Sequence, residues 1–244
     1  MIKPIYRISL VIALFFCAVS ERSVAQGNRS PILSWAYKLE QNITCQNTEY
    51  RHKDDNVVWG DSPANTQCYT DCSGFINALI AKTYSWNDDN FKTELGHKRM
   101  YAWHYFDAIT SGRHFQQIKN IGSILPGDII ALKYADRSEH EDNTGHVMVI
   151  ASLPRPRKAS KVFEPNTNQY EVEVIDCSKS PHGKSDSRHT PDGGEYSGLG
   201  RGLFRLYADE QGTIVAYSWS IGNPKADFNP FENPVVVGRF ISPN

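Results

Sequence analysis

Charge of either sign in excess, a second long hydrophobic run and internal repeats are all missing from this chain. Lys plus Arg number 26 against 27 Asp plus Glu, a formal net charge of −1 at pH 7. No Lys/Arg run and no basic–aromatic stripe occurs, so the chain offers no electrostatic footprint to a polyanion, and nucleic acid is excluded as a partner. After one apolar stretch near the start, no segment is long enough to cross a bilayer, so no membrane span is expected in the mature chain. With no low-complexity block or long linker, the remainder reads as one domain. Cysteine is scarce as well, with five in 244 residues.

What is present begins with an export signature. Lys3 and Arg7 form a charged n-region, Ile8 to Val19 an apolar stretch, and Ser23-Val24-Ala25 a small-residue cleavage site. Residues 1–25 therefore read as a secretory signal peptide, and the protein is expected to be secreted or periplasmic. Acylation at Cys17 is disfavoured by the bulky Phe15-Phe16 before it. Cleavage removes Lys3, Arg7, Glu21 and Arg22, moving the net charge from −1 to −3, and leaves residues 26–244, about 219 residues, enough for one sizeable core. Cys45, Cys68, Cys72 and Cys177 remain in a compartment that permits disulfides, with three full pairings open. If Cys72 is catalytic, Cys45–Cys68 is the natural bridge. Cys177 is then buried and reduced, or an alternative partner for Cys45.

The pattern of elements predicts an α+β fold. A short helix is expected over Pro31–Lys38, a polar loop over Arg51–Thr70, and a second helical region over Lys98–Thr110 stopped by Ser111-Gly112. Between them, Phe75-Ile76 and Leu79-Ile80 form a helical stripe, with Thr70 or Asp71 as its N-cap. Pro126-Gly127-Asp128 is a turn, after which the period changes to that of strands. Strands are expected at Asp128–Leu132, His146–Ser152, Tyr170–Asp176, Gly202–Tyr207, Thr213–Ser220 and Val235–Ile241, with a hairpin turn at 209–212. Helices first and strands afterwards argue for an antiparallel sheet. The segment Lys179–Gly200 is long for a structureless loop.

Cys72 opens the predicted apolar helix, where the positive end of the helix dipole favours a thiolate. If His146–Ser152 and Tyr170–Asp176 pair antiparallel, the start of one lies beside the end of the other. Alternation puts His146, Met148 and Ile150 on one side, with Val172, Val174 and Asp176 on the matching side, both expected to face the Cys72 helix. Glu173 points the opposite way. The arrangement predicts thiol-based acyl transfer: Cys72 attacks a carbonyl, His146 moves the proton, Asp176 orients the imidazole, and helix-start N–H groups stabilise the oxyanion.

Asp71-Cys72-Ser73-Gly74-Phe75, Pro126-Gly127-Asp128-Ile129 and Gly145-His146-Val147 resemble the three signature stretches of the NlpC-type, papain-like cell-wall cysteine peptidases, in that family's order. The resemblance covers about half the mature chain, roughly Tyr69 to Cys177. It implies a papain-like fold, N-terminal helices carrying the nucleophile on an antiparallel sheet. It also implies hydrolysis of amide bonds in peptidoglycan stem peptides without metal or cofactor. Carried over by position, Cys72 is nucleophile and His146 base. Asp176 stands where many relatives have His, Asp71 and Ser73 help hold the substrate's free amine, and Tyr69 lines the cleft. The stretch after Lys179 is an extra C-terminal β extension in this comparison, and no wall-binding repeat is present.

Other readings compete. The same thioester suits an acyltransferase or amidase on another acylated substrate, and an inactive wall-binding protein could retain the fold. The polar run His182–His189 lacks zinc-like spacing and is expected to rim the cleft. Aromatic residues from Tyr101 to Phe106 are expected to pack in the core. Arg239 has no role derivable from sequence.

Overall fold

A computed structural model describes residues 30–134, 144–158, 165–223 and 234–242; the expected signal peptide lies outside them. In chain order the elements are α1 (Pro31–Glu40), β1 (Thr48–Tyr50), β2 (Asn56–Val58), β3 (Gln67–Thr70), α2 (Cys72–Tyr84), α3 (Asp88–Leu95), α4 (Ala102–Ser111), β4 (Phe115–Gln117), β5 (Ile129–Lys133), β6 (Gly145–Ile150), β7 (Arg155–Arg157), β8 (Asn168–Ser178), β9 (Gly198–Ala208), β10 (Ile214–Ser218) and β11 (Val235–Phe240). The fold is α+β, as the order of patterns indicated. Helix α2 buries Phe75, Ile76, Leu79 and Ile80, the stripe seen in the sequence, and each such side chain contributes about 1.5–3 kcal/mol.

Three boundaries differ from expectation. The polar loop over 51–70 contains β2 and β3, which form a small sheet in the order β1-β3-β2. The helix expected from Lys98 starts only at Ala102. Gly96 ends α3 in the left-handed region, and the chain between is held open by Arg99 and Met100, whose polar groups bond to α2. The Tyr101 amide then donates to His104 Nδ1, opening α4. Strand β9 begins at Gly198, so it takes the last part of the expected loop and pairs with β8 along their whole length, from Asn168–Ala208 to Ser178–Gly198.

The large sheet is antiparallel throughout, in the order β10-β9-β8-β6-β5-β11-β4, with β7 also on β8. The C-terminal stretch is thus no appendage: β11 lies between β5 and β4, and β9 and β10 extend the other side. Two cores result. One joins the helices to Val147, Val149, Ile175 and Cys177. The other gathers Met148, Ile150, Val172 and Val174 with Phe204, Leu206 and Tyr217. His146 and Asp176 share a face as alternation predicted, but it is not the face that α2 covers. Helix α2 packs on the opposite side and meets His146 only with its N-terminus. This is possible because the β6–β8 ladder runs only through Val149–Ile175 and Ile150–Val174, leaving the strands unpaired at His146.

Gly145 sets the entry to β6. Its φ is 145°, and a Cβ there would lie 2.0 Å from the Leu132 carbonyl oxygen, a backbone atom that cannot step aside. Gly145→Ala is expected to cost about 2–3 kcal/mol and to displace His146, read by urea denaturation and by loss of activity together. Arg239, without a role in the sequence, clamps the Pro-Gly-Asp turn. Its Nε and Nη2 donate to the two oxygens of buried Asp128 at 2.8 and 2.9 Å. Asp128 also accepts from the Leu125 amide at 2.8 Å. Arg239→Ala leaves a buried carboxylate short of its partner. A loss of about 2 kcal/mol is expected on denaturant titration, below the ~3–5 of a fully buried pair because Arg239 is about a third exposed.

Candidate active site

Cys72 is the first residue of α2, and Asp71 resolves the choice of N-cap. Asp71 Oδ1 accepts from the Gly74 amide at 2.7 Å and from Ser73 Oγ at 2.8 Å, satisfying a first-turn donor that the helix cannot. Arg99 closes the same cluster. Its Nη2 donates to Asp71 Oδ1 at 2.9 Å, its Nη1 to Ser73 Oγ at 2.9 Å, and its Nε reaches Asp55 Oδ2 at 2.9 Å. Burial alone would raise the Asp71 carboxyl, but the Arg99 charge and the Gly74 amide hold it below the ordinary range. Cys72 itself is 4 % exposed, enclosed at the buried N-terminal end of its helix.

His146 bridges Cys72 and Asp176. Its Nε2 donates to Asp176 Oδ2 at 2.5 Å, and Nδ1 is the nitrogen left for its hydrogen bond with the Cys72 sulfur. Burial works against a charged imidazole here. The sulfur of Cys72 and the hydrogen bond to Asp176 outweigh it, and the His146 pKa is raised to about 9. That direction favours the protonated ring, the form that can donate.

Asp176 is completely buried and held from three sides. Besides His146, its Oδ2 faces His182 Nε2 at 3.0 Å, and its Oδ1 accepts from Arg188 Nη2 at 3.0 Å. Burial would raise this carboxyl, but the charges of His182 and Arg188 and the hydrogen bonds from both histidines hold it well below the carboxylate range. Arg188 is anchored in turn by Asp186, through Nε at 2.8 Å and Nη2 at 2.7 Å, and it also reaches Ser178 Oγ and the Gly198 carbonyl. Gly200 and Gly202 on β9 leave the space this cluster fills: a Cβ there would meet Arg188 Nε at 2.5 Å and Asp186 Oδ2 at 2.4 Å.

The segment from His182 to Arg188 is thus solvated only in part, with Lys184, Ser185 and Ser187 exposed. His182, Asp186 and Arg188 are buried beneath Asp176, where their hydrogen bonds replace those lost to water. The sequence expectations therefore divide. Cys72, His146 and Asp176 are brought together. Asp71 and Ser73 lie beside Cys72 but are buried and occupied by Arg99. Tyr69 is not at the site: alternation on β3 turns Cys68 and Thr70 inward and Tyr69 outward, where its hydroxyl donates to the Gln46 carbonyl. Like Tyr105 on α4, Tyr50 on β1 is close to Cys72. Burial, then the neighbouring Cys72 and Asp71, raise its phenol. Nothing in the local pattern of Thr48-Glu49-Tyr50 signals that position. His52, two residues on, stands 3.6 Å from Asp71 Oδ2 and lines an open cavity of about 450 Å³ with Glu49, Arg51, Lys53 and Asp54.

The expected Cys45–Cys68 bridge is not formed. All four described cysteines are free, Cys45 exposed and Cys68 buried, so the two thiols face different surroundings. Cys68 instead contacts Cys177, whose thiol also donates to the Thr70 carbonyl at 3.0 Å; burial pushes the Cys177 thiol up. His146, Asp176 and His182 offer three metal-ligand atoms within 4.8 Å of one another, and this set could hold a divalent ion. The Arg188 cation on the shared carboxylate opposes that use, because it would sit beside a second positive charge.

Among the described residues, no helix is long and apolar enough to cross a membrane. No family model matches the chain, and no solved structure matches it. The chain is 36 % identical over 216 residues to a protein of Acanthamoeba polyphaga mimivirus named "Uncharacterized protein R653", an alignment spanning 85 % of this chain and 95 % of that one.

Proposed function

We propose that the chain, which belongs to the family of the mimivirus protein R653, is an exported cysteine hydrolase of amide bonds with a papain-like, NlpC-type fold. The observation carrying this reading is the contact of helix-start Cys72 with a buried imidazole whose other nitrogen is 2.5 Å from Asp176. A thiolate paired with a cationic imidazole attacks a carbonyl carbon without first needing a separate base, because the thiol proton already resides on the ring. The His146 proton then passes to the leaving amine. Neutral His146 next takes a proton from water, which attacks the thioester and releases the acid. Asp176, fixed by Arg188 and His182, keeps the ring oriented through both steps, and the Cys72 amide at the positive end of α2 is placed to stabilise the oxyanion.

Peptidoglycan stem peptide is the proposed substrate, on the resemblance of the three motifs. The test is incubation of the mature protein with purified peptidoglycan and mass spectrometry of the soluble products. Release of new peptide fragments, unchanged by a chelator, is the expected result; no release rejects the substrate.

One observation favours a second reading, a thioester-forming amidase or acyltransferase on another acylated compound. Arg99 already occupies Asp71 and Ser73, the residues that the resemblance gives to a substrate's free amine. Fragments lacking any free-amine requirement, or acyl transfer to an added amine, would favour it.

A further inference from the structure

We infer that His182 is a positioning residue of this site, a second buried imidazole that shares the Asp176 carboxylate with His146 and tempers the carboxylate's hold on the His146 proton. The inference rests on the reading of Cys72, His146 and Asp176 as the reacting group.

His182 is completely buried, and both of its ring nitrogens face acceptors. Nδ1 is 2.7 Å from the Trp219 carbonyl oxygen and Nε2 is 3.0 Å from Asp176 Oδ2. A carbonyl and a carboxylate accept but do not donate, so either ring nitrogen finds a partner when it carries a proton. Its position is fixed independently of Asp176. The His182 amide donates to Asp186 Oδ2 at 2.7 Å, and the Trp219 ring packs on His182 at 4.2 Å and edge-on to His146 at 4.9 Å. Both imidazoles thus reach the same oxygen, under one indole.

The consequence follows from charge. Cys72 from α2 and Asp176 from β8 act on the His146 proton directly. Behind Cys72 stand Asp71 and Tyr50; behind Asp176 stand His182, Arg188 and Asp186. A carboxylate bonded to one imidazole alone would hold that proton with its full charge. Here two further donors draw on the same carboxylate, the His182 ring on the oxygen that His146 uses and Arg188 on the other. Both loosen the His146 proton. Acid catalysis of amine departure and base activation of water need the same imidazole to give up and then regain a proton, so a hold that is too strong slows both.

The experiment is an NMR titration of the His146 imidazole in wild type, His182→Gln and His182→Phe, with the pH dependence of Cys72 alkylation by iodoacetamide measured beside it. Gln keeps a side-chain donor in the space; Phe removes it. In His182→Phe the His146 titration is expected to move upward by about one pH unit and in His182→Gln by less, and the alkylation profile to shift with it. A titration unmoved or lowered in both variants, with only thermal stability lost, overturns the inference and leaves His182 as packing. A wild-type His146 that titrates near 6.5, with ordinary thiol reactivity at Cys72, overturns the underlying reading of the site instead, whatever the variants do.

Discussion

Cys72→Ala is expected to abolish release of peptides from peptidoglycan, by about 10³-fold or more, while leaving the urea midpoint close to that of the wild type. In the proposed mechanism the sulfur forms the acyl intermediate, and the neighbouring Ser73 hydroxyl is taken up by Asp71 and Arg99. The fold should tolerate its loss, because Cys72 is a small side chain in the first turn of a helix whose stability lies in Phe75, Ile76, Leu79 and Ile80. Cys72→Ser is expected to be nearly as inactive. A serine hydroxyl ionises far less readily than a thiol, and replacing the Cys72 sulfur also removes the largest influence that raises the His146 pKa, so the ion pair from which the proposed attack starts is not formed. Mass spectrometry of digests from all three proteins, with urea titrations in parallel, checks both statements. Activity surviving in Cys72→Ala would reject the thioester mechanism.

The largest loss of stability is expected from Asp176→Asn. The substitution keeps the shape but removes the charge that faces Arg188 and His182 in a site with no solvent access. Asp186 still pairs with Arg188, and nothing described replaces Asp176 for the two histidines. Removing one partner of a buried ionic cluster costs about 3–5 kcal/mol, which denaturant titration would read directly. The pH dependence has a definite sign. The Asp176 carboxyl is held well below 3.8 in the folded protein. Its contribution is therefore present above the unfolded value and is lost as pH falls through the folded one. Asp176→Asn should flatten the acid limb of stability. His146 acts in the opposite sense: raised from 6.5 to about 9, it contributes below 6.5 and the contribution fades as pH rises through 9. An acid limb equally steep in Asp176→Asn would contradict this account.

Much of the frame was legible beforehand because it depends on local periodicity. The α2 stripe, the six principal strands, and the shared face of His146 and Asp176 all follow from spacing within ten residues of chain. The small sheet within the 51–70 segment was hidden because strands of three and four residues carry too few alternations to read. The Lys98 boundary was hidden because its cause is remote: Arg99 leaves the helical path to reach Asp71, 28 positions away. The same reason concealed Arg239, whose partner is 111 positions distant.

The sequence by itself determined that a cysteine would start an apolar helix, that a histidine and an aspartate would lie on one face of neighbouring strands, and that helices would meet an antiparallel sheet. Tertiary structure alone decided the rest. It set which face α2 covers, brought Tyr50 rather than Tyr69 to Cys72, left Cys45 and Cys68 apart, and folded His182, Asp186 and Arg188 beneath Asp176. Alternation fixes which side chains share a side but not what will lie against it, because that depends on strand order. A polar run such as His182 to Arg188 looks solvated until a buried carboxylate supplies the hydrogen bonds and countercharge that water would otherwise provide.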